Sequence, residues 1–166
     1  MLEQALESAL GQQGVEVEVI VVDEASSDET PERLQRFDDD RVSFVRHDTP
    51  RGPAAARNAA IERARGEWVA FLDDDDLWSP RKLRAQISSA VANGHQWSYT
   101  GRVEIDHRME VIHAFHPPDP ADLTARLLSN NTIGGPSSVR SAGSGGWKAW
   151  ITSVRWSIST LPVYDH

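Results

Sequence analysis

The sequence predicts an α/β protein with a mostly parallel sheet flanked by helices. Apolar, β-branched or aromatic runs alternate with segments of helical periodicity, a pattern typical of parallel strands joined by right-handed crossovers. Acidic residues directly follow two of these runs, at the position where ligands bind in open α/β sheets. The chain has 166 residues, enough for one domain of ordinary size with its own core.

Up to the second acidic run, helices are predicted from one apolar face and strands from short apolar runs. In the first helix, apolar residues recur from Leu2 at i, i+3, i+4, i+7 and i+8, and Gly11 or Gly14 ends it. The predicted elements are, in order, a helix over 2–10, a strand over 17–22, a short helix from Thr30-Pro31-Glu32, a strand over 42–45, a loop over 47–53, a helix over 54–65 and a strand over 68–72.

Beyond the second acidic run the predicted pattern changes. Ser79-Pro80 predicts the N-cap and first residue of a helix that ends near Asn93. The elements predicted after it are a half-exposed strand over 97–105, a turn at 106–108, a pairing strand over 109–115 and a short helix from Asp119-Pro120 to Leu128. From about residue 140 no period is visible, so we expect a domain over 1–139 and an atypical tail over 140–166, disordered or displaced from the domain.

Composition excludes several classes of protein. The formal net charge of −8 argues against a general nucleic-acid binder, which would be basic. The chain has no cysteine, which excludes a disulfide framework and thiolate chemistry. We see no signal peptide and no apolar run of about 18 residues. We therefore expect a cytoplasmic location, with peripheral membrane binding left open.

The most informative segment is the run of four aspartates, Asp73 to Asp76, after the apolar strand that begins at Trp68. Two unit charges about 5 Å apart repel by about 3 kcal/mol at an effective dielectric near 20, so the run is costly unless a cation binds it. Carboxylate ligands favour a hard divalent ion such as Mg²⁺ or Mn²⁺. The alternative is a solvated acidic loop without a ligand.

Two further candidates lie near predicted strand ends or helix starts. Asp23 and Glu24 follow the strand over 17–22, where a carboxylate can accept hydrogen bonds from a base or ribose, although residues 25–28 are equally typical of turns and caps. Arg57 lies early in the helix over 54–65, where an arginine suits an anionic phosphate. The alternative for Arg57 is a structural ion pair with an acid at the sheet edge.

Three segments together resemble the family 2 glycosyltransferases, which have the GT-A fold, a Rossmann-like α/β architecture. Residues 19–28 resemble the motif VVDDGSxD, and residues 52–61 resemble G-x-x-x-A-R-N-x-x-I. Residues 66–76 resemble G-x-y-i-x-f-L-D-x-D-D, which contains the DxD motif. The resemblance covers about residues 1–139 and implies that a sugar passes from a nucleotide diphosphate-sugar to an acceptor hydroxyl, usually with inversion. The acceptor, whether glycan, lipid or protein, stays open.

The resemblance also implies roles for individual residues. Asp23 and Glu24 would contact the base and ribose of the donor. Asp73 and Asp74 would contact the nucleotide-sugar, and Asp75, together with Asp73, would bind Mg²⁺ or Mn²⁺. The metal would neutralise charge on the departing diphosphate, and a carboxylate base would deprotonate the acceptor.

The chain departs from the family pattern in three places. We expect the family's first strand to be absent because Met1 already lies in the predicted first helix, so a central strand and part of the base pocket would be missing. An open sheet edge of this kind favours pairing with a second copy. Glu24 replaces an aspartate of the motif. The region that supplies the base is not readable after Val139, which leaves Asp165 as the candidate base.

Two alternatives to a transferase stay open. A non-catalytic or truncated nucleotide-binding module of the same family would keep the metal site and lack the base. A nucleotidyltransferase also uses acidic clusters and a metal, but it would need a basic, glycine-rich phosphate loop near the N-terminus, which this sequence lacks.

Overall fold

The structure, a computed structural model, describes residues 1–129 and 149–155. The predicted order of helices and strands is confirmed as far as the helix that begins at Pro120. The elements are α1 (Leu2–Leu10), β1 (Glu16–Glu24), α2 (Thr30–Gln35), β2 (Val42–His47), α3 (Pro53–Ile61), β3 (Trp68–Asp73), α4 (Lys82–Ala92), β4 (Arg102–Ile105), β5 (Val111–Phe115), α5 (Pro120–Ser129) and β6 (Ala149–Arg155).

The main sheet has the strand order β2-β1-β6-β3. β1 and β2 are parallel, whereas β6 is antiparallel to both β1 and β3. β1, β2 and β3 therefore run in the same direction, as predicted, although of the three described pairings in this sheet only β1–β2 is itself parallel. Their carboxyl ends lie at one edge of the sheet, where both acidic runs begin. β4 and β5 form a separate antiparallel hairpin, shorter at its first strand than the predicted 97–105.

β6 corrects the prediction for part of the tail. Residues 149–155 are not displaced from the sheet, because Ala149 pairs with Val22 of β1 and with Asp73 of β3, and the pairing continues to Arg155. An interior strand hydrogen-bonds on both sides and thereby satisfies the backbone groups that β1 and β3 would otherwise leave unpaired. The position between β1 and β3 is therefore filled, and the outer strands of the described sheet are β2 and β3. Association through an open edge stays a prediction. The other residues of the predicted tail lie outside the described residues.

The two faces of the sheet are covered by different helices. On one face, Val17, Val19 and Val21 of β1 pack in a core that includes residues of α1, α2 and α4. On the other face, Ile20 and Val22 pack against α3. Alternate residues of a strand point to opposite faces, so β1 is buried on both faces over residues 19–22, where its sequence is continuously apolar. The same alternation fixes the direction of the side chains at its acidic end.

The start of α4 differs from its prediction. The helix begins at Lys82, and Arg81, not Ser79, is its N-cap. The buried side chain of Gln12 satisfies this end: its Oε1 accepts from the Leu83 N–H at 3.0 Å, and its Nε2 donates to the Ser79 carbonyl at 2.8 Å. Gln12, distant in sequence, thus caps the start of α4, and it links the end of α1 to the segment that follows the second acidic run.

Candidate functional site

Two acidic turns lie at the carboxyl edge of the main sheet. The first acidic turn is Asp23–Ser26, which includes the last residues of β1, and the second acidic turn is Asp73–Asp76, which begins with the last residue of β3. Because β6 lies between these strands, the turns are separated by two strand spacings, roughly 10 Å. This separation is comparable with the distance from the base to the diphosphate of a nucleotide.

Asp23 is buried, with 3% of its surface exposed, and it is held within the first acidic turn. Its Oδ1 accepts from the Ser26 N–H at 3.0 Å, and its Oδ2 forms an ion pair with the Arg46 guanidinium. Arg46 also donates to the Ser26 carbonyl at 3.1 Å. In the parallel ladder Asp23 and Arg46 are directly opposite each other. The pair therefore presents a half-exposed guanidinium beside a buried carboxylate.

Glu24 is also buried, and both of its oxygens accept hydrogen bonds. Oε1 accepts from Nδ1–H of His47, its neighbour across the ladder, and Oε2 accepts from the N–H groups of Arg51 and Gly52. Burial raises the pKa of Glu24, but the bonds from Arg51, Gly52 and His47 together outweigh it and leave the pKa below its usual value. Glu24 is therefore an ionised carboxylate at neutral pH.

The backbone of the first acidic turn is strained at Ala25. Its φ of 55° lies in the left-handed region, which a residue with a Cβ adopts at a cost of about 1–2 kcal/mol. The motif that this segment resembles has glycine at this position. The hydrogen bonds that Ser26 makes with Asp23 and Arg46 hold the turn in this conformation.

The second acidic turn is more accessible. Asp73, Asp74 and Asp75 are partly exposed, whereas Asp76 has only 2% of its surface exposed. The Asp76 N–H donates to the Asp73 carbonyl at 3.1 Å, which closes a tight turn. The first three carboxylates can thus reach a ligand from solvent, while Asp76 is part of the protein interior.

Arg57 of α3 lies beside the second acidic turn. Its guanidinium is 3.8 Å from Oδ1 of Asp73 and lies over the ring of Phe71, 5.7 Å from the ring centroid. Both interpretations left open by the sequence are thereby compatible, because the structural ion pair also brings Arg57 to the acidic turn. The Arg57 side chain is about one-third exposed, so an anion could bind its guanidinium in place of Asp73 or alongside it.

Among the described residues, no group of three or more His, Cys, Asp or Glu side chains is arranged to hold a metal ion. This arrangement does not conflict with Mg²⁺ or Mn²⁺, since Mg²⁺ in particular is usually held by one or two carboxylates together with substrate phosphates and water. The partly exposed carboxylates of Asp73 and Asp75 are oxygen donors of this kind. The donor set fits a cation that binds with a diphosphate.

Two residues at the edge were not predicted as site residues: Arg46 and His47. Each faces an acid across the β1–β2 ladder. In the sequence, Arg46 and His47 directly follow the apolar residues of β2. That they face two acids follows only from the register between β1 and β2. Asp165, the candidate base, lies outside the described residues.

A cleft of about 340 Å³ lies at the opposite, amino-terminal end of β1, and we assign it no role. Its arginines are bound within the protein: Arg65 pairs with Glu18 at 2.9 Å, and Arg41 pairs with Asp39 at 2.8 Å. Among the described residues that line the cleft, both arginines are therefore engaged within the protein, and the cleft lies away from both acidic turns.

Comparison with known proteins decides the family. The family model described as Glycosyl transferase family 2 matches residues 1–138. The chain belongs to this family. Family 2 members have the GT-A fold, in agreement with the mixed α/β architecture and the parallel strands described above. The match covers both acidic turns and Arg57.

Several curated proteins are similar to this chain. The succinoglycan biosynthesis protein ExoO of Rhizobium meliloti is 51% identical over 92 residues, which are 55% of this chain and 26% of ExoO. The Escherichia coli protein WfgD, named a UDP-Glc:α-D-GlcNAc-diphosphoundecaprenol β-1,3-glucosyltransferase, is 35% identical over 130 residues, 78% of this chain and 51% of WfgD. The putative teichuronic acid biosynthesis glycosyltransferase TuaG of Bacillus subtilis is 39% identical over 102 residues, 60% of this chain and 40% of TuaG.

The chain spans between about a quarter and a half of the length of these relatives. In the part of the chain that the structure describes, no helix is both long and apolar enough to cross a membrane.

Proposed function

We propose that this chain binds a nucleotide diphosphate-sugar together with Mg²⁺ or Mn²⁺ and transfers the sugar, with inversion, to an acceptor hydroxyl. The observation that carries the proposal is the placement of two acidic turns at one edge of the sheet, with Arg57 beside the second. Family membership supports the reaction class.

The donor would lie along the carboxyl edge. At the first acidic turn, the half-exposed guanidinium of Arg46 would donate to the base and ribose, and the buried Asp23 carboxylate that pairs with it would hold it in place. Near the second, Asp73 and Asp74 offer carboxylates to the ribose, and the partly exposed guanidinium of Arg57 suits a phosphate oxygen. The separation of roughly 10 Å between the turns suits a nucleotide that bridges them.

Asp75 and Asp73 would hold the metal. When bound, the ion would neutralise negative charge on the diphosphate. In its absence the acidic turn would repel the same diphosphate, so binding at this site would depend on the cation. With the ion bound, Asp73 would have two cationic neighbours, the metal and Arg57.

Transfer requires a base aimed at the acceptor hydroxyl, and Asp165 remains our candidate. A base typically contributes about 10²- to 10⁴-fold to the rate. WfgD carries in its name a lipid-diphosphate acceptor. By analogy we propose a lipid-linked glycan as the first acceptor to test, and a cytoplasmic or membrane-peripheral location. Association of two copies is a further proposal, but the filled position between β1 and β3 does not provide its interface.

The test is calorimetry with UDP and GDP in the presence and absence of Mn²⁺, followed by transfer assays with the matching sugar donors. Asp75→Ala should weaken Mn²⁺-dependent binding by at least about 100-fold, since losing only an outer-shell partner of a metal ligand already costs about 10- to 100-fold. Asp38→Ala, at an exposed acid before the amino-terminal end of β2, is the matched control and should leave binding unchanged.

Equal affinity of Asp75→Ala and the wild type with Mn²⁺ present would overturn the metal assignment. Binding of the nucleotide without transfer, unaffected by Asp165→Asn, would favour a non-catalytic module of the family. Vigorous transfer that survives Asp165→Asn would assign the base to another residue.

A further inference from the structure

We infer that Glu24 is a positioning residue, which holds the start of α3 against the end of β1, and is not a contact to the nucleobase. The inference rests on the proposed function, because it concerns how Arg57 is presented to the nucleotide. It departs from the role that the family motif implies for an acid at this position.

The contacts of Glu24 are all to the protein itself. Oε1 is taken by the His47 side chain, and Oε2 accepts two backbone N–H groups, that of Gly52 at 2.8 Å and that of Arg51. The side chain is 4% exposed. Three of the about four acceptor sites of the carboxylate are thus taken, and burial closes access to the rest. A base that displaced one of the three donors would lose more than the new bond contributes.

The backbone groups that Glu24 holds lead directly into α3. Gly52 is the N-cap of this helix, has a φ of 86°, and makes no side-chain capping bond. A residue with a Cβ would be strained at this φ. The Glu24 carboxylate accepts the N–H groups of the residue before the N-cap and of the N-cap itself, so it fixes where the helix begins.

α3 carries this position on to the second acidic turn. Ala56 and Ala60 pack against Ile20 and Val22 of β1. Arg57, about one and a half turns beyond Gly52, lies 3.8 Å from Asp73. The small residues allow the helix to pack close to the sheet. A change at Glu24 would therefore reach the nucleotide through the position of Arg57.

The length of the side chain explains why a glutamate stands here. An aspartate is shorter by one methylene, about 1.5 Å, and its carboxylate would not reach both the Gly52 N–H and His47. A glutamine has the same length and keeps an oxygen for the backbone N–H groups. Glu24→Asp therefore tests the length of the side chain, and Glu24→Gln tests its charge.

The experiment measures hydrogen exchange at the amides of Arg51 and Gly52 in the wild type, Glu24→Asp and Glu24→Gln, and UDP and GDP affinities with Mn²⁺. Exchange at both amides should accelerate at least about tenfold in Glu24→Asp and stay within about threefold in Glu24→Gln. UDP and GDP should weaken by the same factor in Glu24→Asp, about five- to tenfold, because Arg57 acts on the phosphates of both.

A double-variant cycle tests the route through Arg57. In an Arg57→Ala background, Glu24→Asp should cause no further loss of affinity, whereas a general loss of structure would add to the first loss. Retained amide protection in Glu24→Asp would overturn the inference, and so would a change in its UDP-to-GDP preference. If Glu24→Asp does not fold while Glu24→Gln does, positioning is supported. If the wild type binds neither nucleotide, the proposed function fails, and the exchange rates still decide whether Glu24 holds α3.

Discussion

The two acidic turns begin from the same sequence pattern and reach different physical states. In the first acidic turn, Asp23 and Glu24 are buried and accept hydrogen bonds from an arginine, a histidine and three backbone N–H groups. In the second acidic turn, Asp73, Asp74 and Asp75 are partly exposed. The acids of the first turn are held by contacts within the protein, whereas those of the second turn are accessible to a ligand.

Burial and local donors explain the difference. β2 ends beside β1 and brings Arg46 and His47 opposite the two acids of the first turn. A carboxylate that is removed from water must accept hydrogen bonds to stay ionised, so the neighbouring donors and the burial arise together. An acid after a buried strand is therefore not sufficient to predict a ligand contact. The exposure of its oxygens distinguishes the two roles.

The largest effect is expected from disrupting β6, the strand that separates the two acidic turns. Ile151→Pro removes a backbone donor from the middle of β6, which pairs with both β1 and β3. The free energy of unfolding should fall by about 3 kcal/mol or more. Chemical denaturation measures this loss, and Ile151→Val, which keeps the N–H, is the control. A loss below 1 kcal/mol would show that this strand is not needed between the turns.

The next effect compares the turns directly. Glu24→Ala leaves the N–H groups of Arg51 and Gly52 without their acceptor and should lower the free energy of unfolding by about 2–3 kcal/mol. Asp74→Ala, in the accessible turn, should change it by less than about 1 kcal/mol. Denaturation of both variants in one buffer checks the difference. Equal losses would mean that the turns do not differ in structural role.

The sequence predicted the elements better than their partners. Periodicity was sufficient for α1, β1 and β3 because each has a local apolar pattern. The partners of Glu24 depend on the β1–β2 register, and the capping of α4 depends on Gln12, which is 71 residues from Leu83. Strand β6 was missed because its segment has no clear period and its pairing satisfies backbone groups of distant strands. The three-dimensional path of the chain supplies these contacts.

A smaller effect tests the strain in the first acidic turn. Ala25 has a φ of 55°, so Ala25→Gly should relieve the turn and raise the free energy of unfolding by about 0.5–1 kcal/mol. The matched control is Ala59→Gly in α3, where the same change should destabilise by about 1 kcal/mol. Thermal denaturation gives both signs. Destabilisation by Ala25→Gly would show that the turn is not strained at this residue.

The smallest expected effect concerns the pH dependence of stability. The pKa of Glu24 in the folded protein lies below its ordinary value of 4.5, so in this range the unfolded chain binds more protons than the folded one. The stabilisation from ionised Glu24 is therefore fully present above about pH 5 and is lost as the pH falls through the folded pKa.

Glu24→Gln has no such proton to bind, so its stability should fall less steeply than that of the wild type between about pH 5 and pH 3. Asp39, whose pKa is lowered chiefly by its hydrogen bond with Arg41, titrates in both proteins and cancels in the difference between them. Urea denaturation at several pH values measures the two slopes. Parallel slopes would mean that the pKa of Glu24 is the same in the folded and unfolded protein. That result would contradict the lowered pKa expected of a carboxylate that accepts hydrogen bonds from Arg51, Gly52 and His47.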